Sequence, residues 1–522
     1  MAEENQQQNN QQLQPEAQTS NKRIAKNTVL LYIRMIVMII IGLYTSRVVL
    51  QVLGVKDYGV FNAVGGIVAM FSILSNSLST AVSRYLTFEL GKGDIENLKK
   101  VFSTSMNVQL LIATIIFIVG GIVGGWFLNC KMNIPPERII AANWVLFCSL
   151  FSFGISLISV PYTASIISHE KMNMFAYMTI LEAVLKLLIV FLLFISPYDK
   201  LISYAILLLI VSILIRFCYS IYCKKKFIEC HYNYVMDIPL FKEMTKFAGW
   251  NFLGNASWTF NTHGINILIN LFFGVTVNAA RGIATQVESL VIQLVNNFMT
   301  ALTPQITKSY ASGDLFNMHN LIVRGAKFSF FLLMFLAIPF CFETEKLLSL
   351  WLGIIPEYTV TFVRLTFVSS ICTVLGNTLV TAQLATGRIK KYQIVMTLCG
   401  IWVFPLTYIA FYLKGGPSWS YIIFIIIYFG LIFVRLFLVK DLINMPMKVY
   451  IKEVFIKCVI VLFLSLVVPA LVFYMLPESF LRLVILFSLS FIYSSMVIYF
   501  IGLDRTERMA VKGLLKKSIK KH

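Results

Sequence analysis

The chain has 522 residues, of which 58% are hydrophobic and 13% charged, whereas about 25% of the residues are charged in an average soluble domain. This composition excludes an ordinary soluble fold. The net charge of +20 would suggest a nucleic-acid partner in a soluble protein, but the topology of a membrane protein accounts for it here, and no nucleic-acid partner is expected.

Apolar runs of about twenty residues, the length that a helix needs to cross a bilayer, recur along the whole chain. We therefore predict an all-α polytopic membrane protein with about 14 spans in two six-helix lobes plus a C-terminal helix pair. The predicted spans are 27–50, 58–82, 101–128, 139–166, 174–195, 201–222, 244–273, 277–303, 326–350, 357–386, 392–413, 419–440, 454–476 and 480–502.

The polar segments complete the predicted domain organisation. Residues 1–26 form a Gln-rich cytoplasmic leader that we expect to be disordered. The remaining domains are an N-terminal lobe (27–222), a cytoplasmic linker (223–243), a C-terminal lobe (244–440), the extra spans (454–502) and a basic cytoplasmic tail (503–522). The tail reads either as an interfacial helix on anionic lipid or as a disordered basic segment.

The distribution of basic residues predicts the orientation of the spans. Of the 44 Lys and Arg residues, 28 fall in one alternating set of loops and termini, and six fall in the other. Since Lys and Arg accumulate on the cytoplasmic side, both termini are predicted to be cytoplasmic.

The two halves of the chain repeat each other at an offset near 220. Gly54-Val55 matches Gly274-Val275, and Gly93-Asp94 matches Gly313-Asp314. Six helices return the chain to its starting side, so the two lobes should share one orientation in the membrane. This organisation is typical of transporters, whose binding sites lie near the middle of the bilayer.

Two stretches carry a resemblance to a known family. They are TSRVVLQVLGVKDYGVFNAVGGIVAMF (45–71), which contains the pattern L-G-x-x-D-Y-G (53–59), and RYLTFELGKGD (84–94). The chain resembles the bacterial polysaccharide-biosynthesis flippases, which translocate O-antigen and capsule repeat units. They belong to the multidrug/oligosaccharidyl-lipid/polysaccharide exporter (MOP) superfamily, with the multidrug and toxin extrusion (MATE) exporters and the lipid II flippases. The resemblance implies a MATE-like fold, alternating access and a substrate of oligosaccharide on undecaprenyl pyrophosphate in the cell inner membrane. Polysaccharide polymerase machinery is a further candidate partner, beside the lipid-linked oligosaccharide and anionic membrane lipids.

Three arginines within predicted spans are candidates for binding a pyrophosphate group. Arg34, Arg281 and Arg364 lie deep in spans, where a charge is expensive unless it faces a cavity or a partner. An arginine fork can grip a phosphate bidentately. The alternative for Arg281 is an ion pair with Glu288 that closes the space between the lobes.

The seventh predicted span carries a polar stripe. Its residues recur at spacings of three or four and so share one helix face: Asn251, Asn255, Trp258, Thr262 and Asn266. Amides and an aromatic ring suit sugar hydroxyls and sugar rings, which favours a cavity wall. The alternative is hydrogen bonding between helices.

Other charged residues receive different predictions. Glu182 and Lys186, four residues apart, are expected to neutralise each other, and a minority hypothesis makes Glu182 or Glu288 an ion-coupling carboxylate. Basic residues near span ends are expected to reach the lipid headgroups as topology anchors. These are Arg47, Arg216, Arg435, Lys457 and Arg482.

Four functions compete. The leading hypothesis is a non-enzymatic flippase for lipid-linked oligosaccharides, and the alternatives with the same fold are an ion-coupled multidrug exporter and a lipid II flippase. A membrane glycosyltransferase is disfavoured because no large loop carries catalytic carboxylates. The nine scattered cysteines show no metal-ligand spacing, so we expect neither a metal nor another cofactor.

Overall fold

The structure is a computed structural model that describes residues 27–509, with short gaps. The gaps are residues 43, 46–47, 50, 55–56, 58–59, 62–63, 66–67, 69–70, 131–133, 196, 234–236 and 353–354, and eight side chains between residues 257 and 279 are also not described. The predicted leader (1–26), Arg47 and residues 510–522 of the predicted tail lie outside the described residues.

The described residues form helices and connecting turns, without a strand among them. We number the helices along the chain. They are α1 (Asn27–Gly42), α2 (Ser72–Lys92), α3 (Ile95–Cys130), α4 (Ile139–Ser168), α5 (Met172–Ile195), α6 (Lys200–Lys226), α7 (Ile238–Ala311), α8 (Leu315–Phe342), α9 (Thr344–Leu352), α10 (Thr359–Thr386), α11 (Lys390–Gly400), α12 (Val403–Tyr412), α13 (Trp419–Ile443), α14 (Met447–Met475) and α15 (Phe480–Gly502).

Ten helical segments in the described part of the chain are long and apolar enough to cross a membrane. They coincide with ten predicted spans, from α3 to α6, in α8, in α10, and from α11 to α15, with α11 and α12 together forming one segment. The other four predicted spans fall on α1, on the partly described stretch that leads into α2, and on the two halves of α7. The all-helical, multi-pass architecture is confirmed, and the count of fourteen spans stays a prediction.

The predicted internal repeat is confirmed by the backbone. Gly54 and Gly274 have φ of 76° and 80°, and Gly93 and Gly313 have φ of 76° and 79°. Each pair is separated by the same 220 residues, and α3 and α8 begin 220 residues apart. The left-handed region is accessible to glycine without strain. At Gly274 this conformation interrupts α7, which therefore consists of two helical segments joined at that residue.

The predicted ninth span (326–350) is interrupted. Helix α8 ends at Phe342, three residues after Pro339, and the short helix α9 follows. Pro339 lies inside α8, and the break falls at Glu343, between α8 and α9. The predicted span therefore contains the end of α8 and most of α9.

The chain divides into two compact units, which do not coincide with its two halves. The first unit contains residues 1–255 and 300–314, and the second contains residues 256–299 and 315–522. Both ends of α7 therefore belong to the first unit and its middle belongs to the second.

Ion pairs fix several connections within the first unit. Arg138, at the start of α4, lies 2.8 Å from a carboxylate oxygen of Asp57 and also pairs with Asp199. Asp199 caps α6 by accepting hydrogen bonds from the backbone N–H groups of Leu201 and Ile202. Asp57 belongs to the L-G-x-x-D-Y-G pattern, so this pattern supplies one of the two carboxylates paired with Arg138, while the other, Asp199, joins the start of α4 to the start of α6.

A second ionic contact joins the end of α7 to the turn after α4. The buried carboxylate of Glu170 accepts a hydrogen bond from Nζ of Lys308 at 2.6 Å and another from the side-chain amide of Gln305. Glu170 has a left-handed backbone with φ of 58°, and its carbonyl accepts from the amide of Asn27 at 3.3 Å.

Candidate functional site

The second unit contains a cavity of about 470 Å³ between residues of α7, α10 and α13. We call it the second-unit cavity. Its charged lining residues are Arg281, Glu288 and Arg435. The remaining polar and aromatic lining includes Trp258, Thr262, Thr285, Ser289, Asn296, Ser369, Thr373, Asn377, Ser420, Tyr421 and Phe424.

Arg281 is held in place by two neighbours. It is only 7% exposed, and its Nε donates a hydrogen bond to Oδ1 of Asn266 at 2.6 Å. Its guanidinium carbon lies 5.1 Å from the centre of the Tyr421 ring, within the range of a cation–π contact. The side-chain amide of Asn266 therefore positions Arg281, and its oxygen is already occupied by this hydrogen bond.

Glu288 is the acidic member of the charged lining. Its Oε1 accepts a hydrogen bond from the Ser370 hydroxyl at 3.3 Å, and it is attracted electrostatically by Arg281. Glu288 therefore offsets part of the positive charge of the cavity. The charged lining consists of two arginines and one carboxylate.

Aromatic rings form another part of the cavity wall. Trp258 is 43% exposed and packs edge to face on Phe424 and Tyr428, with centroid distances of 5.7 and 5.5 Å. Phe424 and Tyr428 stack at 4.0 Å. The Thr262 hydroxyl donates to the Trp258 carbonyl at 3.0 Å. This corner offers an amphipathic surface of the kind that packs against sugar rings.

Comparisons with known proteins bear on the fold that carries this cavity. No protein-family model matches the chain. EpsK of Bacillus subtilis (strain 168), an uncharacterized membrane protein, is 19% identical over 318 residues, or 60% of this chain. The chain spans 62% of the length of this curated relative.

Solved transporter structures match more of the chain. MATE in the bent conformation has a TM-score of 0.72 at 15% identity, and MATE in complex with MaL6 has a TM-score of 0.70 at 14% identity. A MOP superfamily transporter from Pyrococcus furiosus Vc1 (DSM3638) has a TM-score of 0.68 at 14% identity. Each match covers 81% of this chain and 96% of the other. The chain has the fold of the MOP superfamily transporters.

The MOP fold brings only part of the predicted seventh-span stripe to the second-unit cavity. Trp258 and Thr262 line the cavity, and Asn266 holds one of its arginines. Asn251 and Asn255 belong to the first unit, where Asn255 donates to the Ser77 hydroxyl at 3.0 Å. A regular helical spacing alone does not show that different parts of α7 belong to different units.

The other two predicted arginines lie outside the second-unit cavity. Arg364 donates from Nε to the carbonyl of Cys341 at 2.9 Å and does not line this cavity. Arg34 belongs to the first unit, where its guanidinium lies 4.7 Å from the centre of the Phe175 ring. The Nε of Arg34 is buried and has no hydrogen-bond partner among the described residues.

Glu182 and Lys186 form the predicted i,i+4 ion pair in the MOP fold. The Lys186 Nζ and the Glu182 Oε1 are 2.6 Å apart, and the two side chains are 44% and 36% exposed. An exposed pair of this kind contributes at most about 1 kcal/mol. Among the described residues, no group of three or more His, Cys, Asp or Glu residues could hold a metal ion.

Three predicted lipid anchors have protein surroundings instead. Arg482 forms a bidentate ion pair with Glu343, Lys457 pairs with Glu453 and Asp504, and Arg435 lines the second-unit cavity. The prediction of headgroup anchoring was wrong for Arg482, whose partner lies 139 residues away, and for Arg435, which lines a cavity formed with other helices. For Lys457 it stays a prediction. A polar stripe on α10 (Ser369, Thr373, Asn377), at regular spacings of four, was the sequence signal for the cavity that we did not use.

Proposed function

We propose that this protein is a non-enzymatic flippase that moves oligosaccharides linked to undecaprenyl pyrophosphate across the bacterial cytoplasmic membrane by alternating access. The observation that carries this proposal is the charge of the second-unit cavity, whose charged lining consists of two arginines, Arg281 and Arg435, and a single carboxylate, Glu288. A cavity of this charge favours an anionic headgroup, because guanidinium groups bind phosphate through charge-assisted hydrogen bonds.

The aromatic wall supports a sugar-bearing substrate. Trp258 lines the cavity and is 43% exposed in total, and an exposed indole packs well against the apolar face of a sugar ring. The combination of arginines with an aromatic surface suits a ligand that joins a phosphate group to a glycan. Arg34, in the first unit, is a second candidate for phosphate contact.

Multidrug export is the principal alternative, since the MATE structures share the fold. Export of cationic drugs calls for an acidic cavity. The single carboxylate that lines this cavity, Glu288, is already attracted by the positive charge of Arg281. For the transporter from Pyrococcus furiosus, the reverse polarity of the binding pocket suggests a different function. By the same criterion, pocket charge favours an anionic substrate here. A lipid II flippase would share the pyrophosphate chemistry and differs in the glycan.

The proposed function places the chain in the cytoplasmic membrane with both termini in the cytoplasm. Its expected partners are the lipid-linked oligosaccharide, anionic membrane lipids and polysaccharide polymerase machinery. The fold neighbours are transporters, and the proposed transport step makes and breaks no covalent bond.

The test is translocation by purified protein in proteoliposomes. A fluorescent lipid-linked oligosaccharide and a cationic dye are offered separately to the wild type, Arg34→Ala, Arg281→Ala and the control Lys440→Ala. We expect the wild type and the control to translocate the lipid-linked substrate, and both arginine variants to lose most of that activity. Dye transport without lipid-linked transport would establish the multidrug alternative, and full activity of folded arginine variants would remove the pyrophosphate role.

A further inference from the structure

Helix α5 of the first unit carries two charged residues near its middle. The helix is long and apolar enough to cross a membrane, and Glu182 and Lys186 are its charged residues. Each lies at least nine residues from either end of Met172–Ile195. Nine residues of helix extend over about 14 Å, which is longer than either side chain. A charge at this depth is costly unless it faces a cavity or a partner.

Stability alone does not account for this ion pair. Insertion of one charged residue at the centre of a span costs about 2.5–3.5 kcal/mol. An ion pair whose side chains are 36% and 44% exposed, as those of Glu182 and Lys186 are, contributes at most about 1 kcal/mol. An apolar pair at these positions would insert more easily, so the two charges point to a function.

The pair faces the interior of the first unit and not the lipid. It belongs to a set of residues at spacings of four, three and four, which share one helix face and which we call the α5 polar stripe: Phe175, Thr179, Glu182 and Lys186. Exposed apolar side chains recur along another face of α5: Tyr177, Leu181, Val184, Leu188 and Phe191. At 100° per residue, the two faces point about 190° apart. Since the exposed apolar face suits lipid, the α5 polar stripe faces the other helices of its unit.

Interactions with α1 and α6 agree with this orientation. The guanidinium carbon of Arg34 in α1 lies 4.7 Å from the centre of the Phe175 ring. The phenol of Tyr219 in α6 interacts electrostatically with both Glu182 and Arg34. Tyr219 is 4% exposed, whereas Glu182 and Lys186 remain partly exposed between these helices. The inward face of α5 therefore borders an open polar space within the first unit.

The hydrogen-bonding capacity of the pair suits a neutral ligand rich in hydroxyl groups. Among the described residues, Glu182 accepts one hydrogen bond, from Lys186 at 2.6 Å, so the ammonium group keeps two N–H donors and the carboxylate keeps acceptor positions. The Thr179 hydroxyl donates to backbone carbonyls of its own helix and can accept from a ligand. Because the two charges compensate each other, the pair selects neither a phosphate nor a cationic drug. Adjacent donors and acceptors match sugar hydroxyls, which both donate and accept.

We propose that the α5 polar stripe binds neutral sugar residues of a glycan through Glu182 and Lys186, with Thr179 as an additional acceptor. This inference rests on the proposed function for the class of ligand, and it adds a sugar site built from residues of the first unit. It predicts that the affinity contributed by the glycan depends on the ion pair.

Binding of two probes to the purified protein in lipid nanodiscs tests this proposal. The probes are the lipid-linked oligosaccharide extracted from cells that produce this protein and undecaprenyl pyrophosphate without a glycan. We expect the wild type to bind the glycan-bearing probe more tightly, and Glu182→Gln to weaken its binding about tenfold or more while binding of the glycan-free probe changes little. The matched control is Glu96→Gln, which removes the carboxylate from an i,i+4 pair with Lys100 near the start of α3.

The double variant Glu182→Gln/Lys186→Met leaves neither charge unpaired, so it should lose the preference for the glycan-bearing probe even if Glu182→Gln fails to fold. An unchanged preference in either folded variant would overturn the proposal, and so would a wild type that binds the two probes equally. Glycan-dependent binding without translocation of the lipid-linked oligosaccharide would refute the proposed function and leave the sugar site intact. Translocation with a glycan preference that survives Glu182→Gln would do the reverse.

Discussion

Arg482 and Glu343 form a bidentate ion pair that joins α15 to the turn between α8 and α9. The Nε of Arg482 donates to Oε1 of Glu343 at 2.6 Å, and Nη2 donates to Oε2 at 3.1 Å. Glu343 is 2% exposed and Arg482 is 9% exposed. Removing one partner of such a pair leaves a buried charge uncompensated.

We predict that Glu343→Gln destabilises the protein by about 3–5 kcal/mol, measured by thermal unfolding of the purified protein in detergent. The control is Glu345→Gln, which makes the same chemical change at an exposed position two residues away. Replacing both partners by apolar residues should recover much of the loss. Equal stability of the two single variants would contradict this prediction.

The ion pair also shows where sequence reasoning reached its limit. Hydropathy runs and the repeated glycines are local signals, and they predicted ten described spans and the internal repeat. Glu343 and Arg482 are 139 residues apart, so only tertiary structure reveals that Arg482 has a partner. For this reason, the positions of Arg482 and Arg435 near the ends of their spans led to the prediction that both residues anchor to lipid headgroups.

The candidate site was predicted in part for the same reason. Arg281, Glu288, Trp258 and Thr262 were found because deep charges and polar stripes are unusual in a membrane helix. The roles of Asn266 and Arg435 depend on contacts with other chain segments, which no single-helix pattern contains.

The contact of α2 with the end of α7 depends on Gly91. A Cβ atom at position 91 would lie 2.7 Å from the Ala311 Cβ and 2.9 Å from the Lys308 Cα. We predict that Gly91→Ala costs about 1–3 kcal/mol through overpacking. A Cβ atom at Gly125 in α3 would have no atom within 4 Å, so Gly125→Ala should be neutral or stabilising by up to about 1 kcal/mol. Thermal unfolding of both variants checks the difference, and a Gly91→Ala protein at least as stable as Gly125→Ala would refute it.

Acidification should weaken the attachment of the C-terminal segment. Burial alone would raise the pKa of Asp504, but hydrogen bonds and charge attraction from Lys457 and Lys327 outweigh it and lower the pKa below its ordinary value of 3.8. The stability that Asp504 contributes is therefore complete above that ordinary value and is lost as the pH falls through the lower pKa of the folded protein.

We predict that the difference in melting temperature between the wild type and Asp504→Asn is constant near neutral pH and shrinks as the pH falls below about 4. Thermal unfolding between pH 3 and 7 measures this difference. A difference that grows on acidification would show that the sign is wrong.

The structure distinguishes the two candidates for an ion-coupling carboxylate, Glu288 and Glu182. Glu288 lines the second-unit cavity, whereas Glu182 is neutralised by Lys186 at 2.6 Å. We predict that Glu288→Gln alters the dependence of transport on an imposed proton or sodium gradient and that Glu182→Gln keeps it. Gradient-driven uptake into proteoliposomes is the measurement, and the reverse pattern would assign coupling to Glu182.

The internal repeat gives Arg435 a counterpart. Arg216 stands sixteen residues into α6, as Arg435 stands sixteen residues into α13, and its guanidinium lies 4.2 Å from the centre of the Tyr162 ring. Equivalent positions of the repeat therefore hold an arginine with an aromatic contact in one half and an arginine in a cavity wall in the other. The two arginines can be compared within one molecule, because the same residue type has two different surroundings.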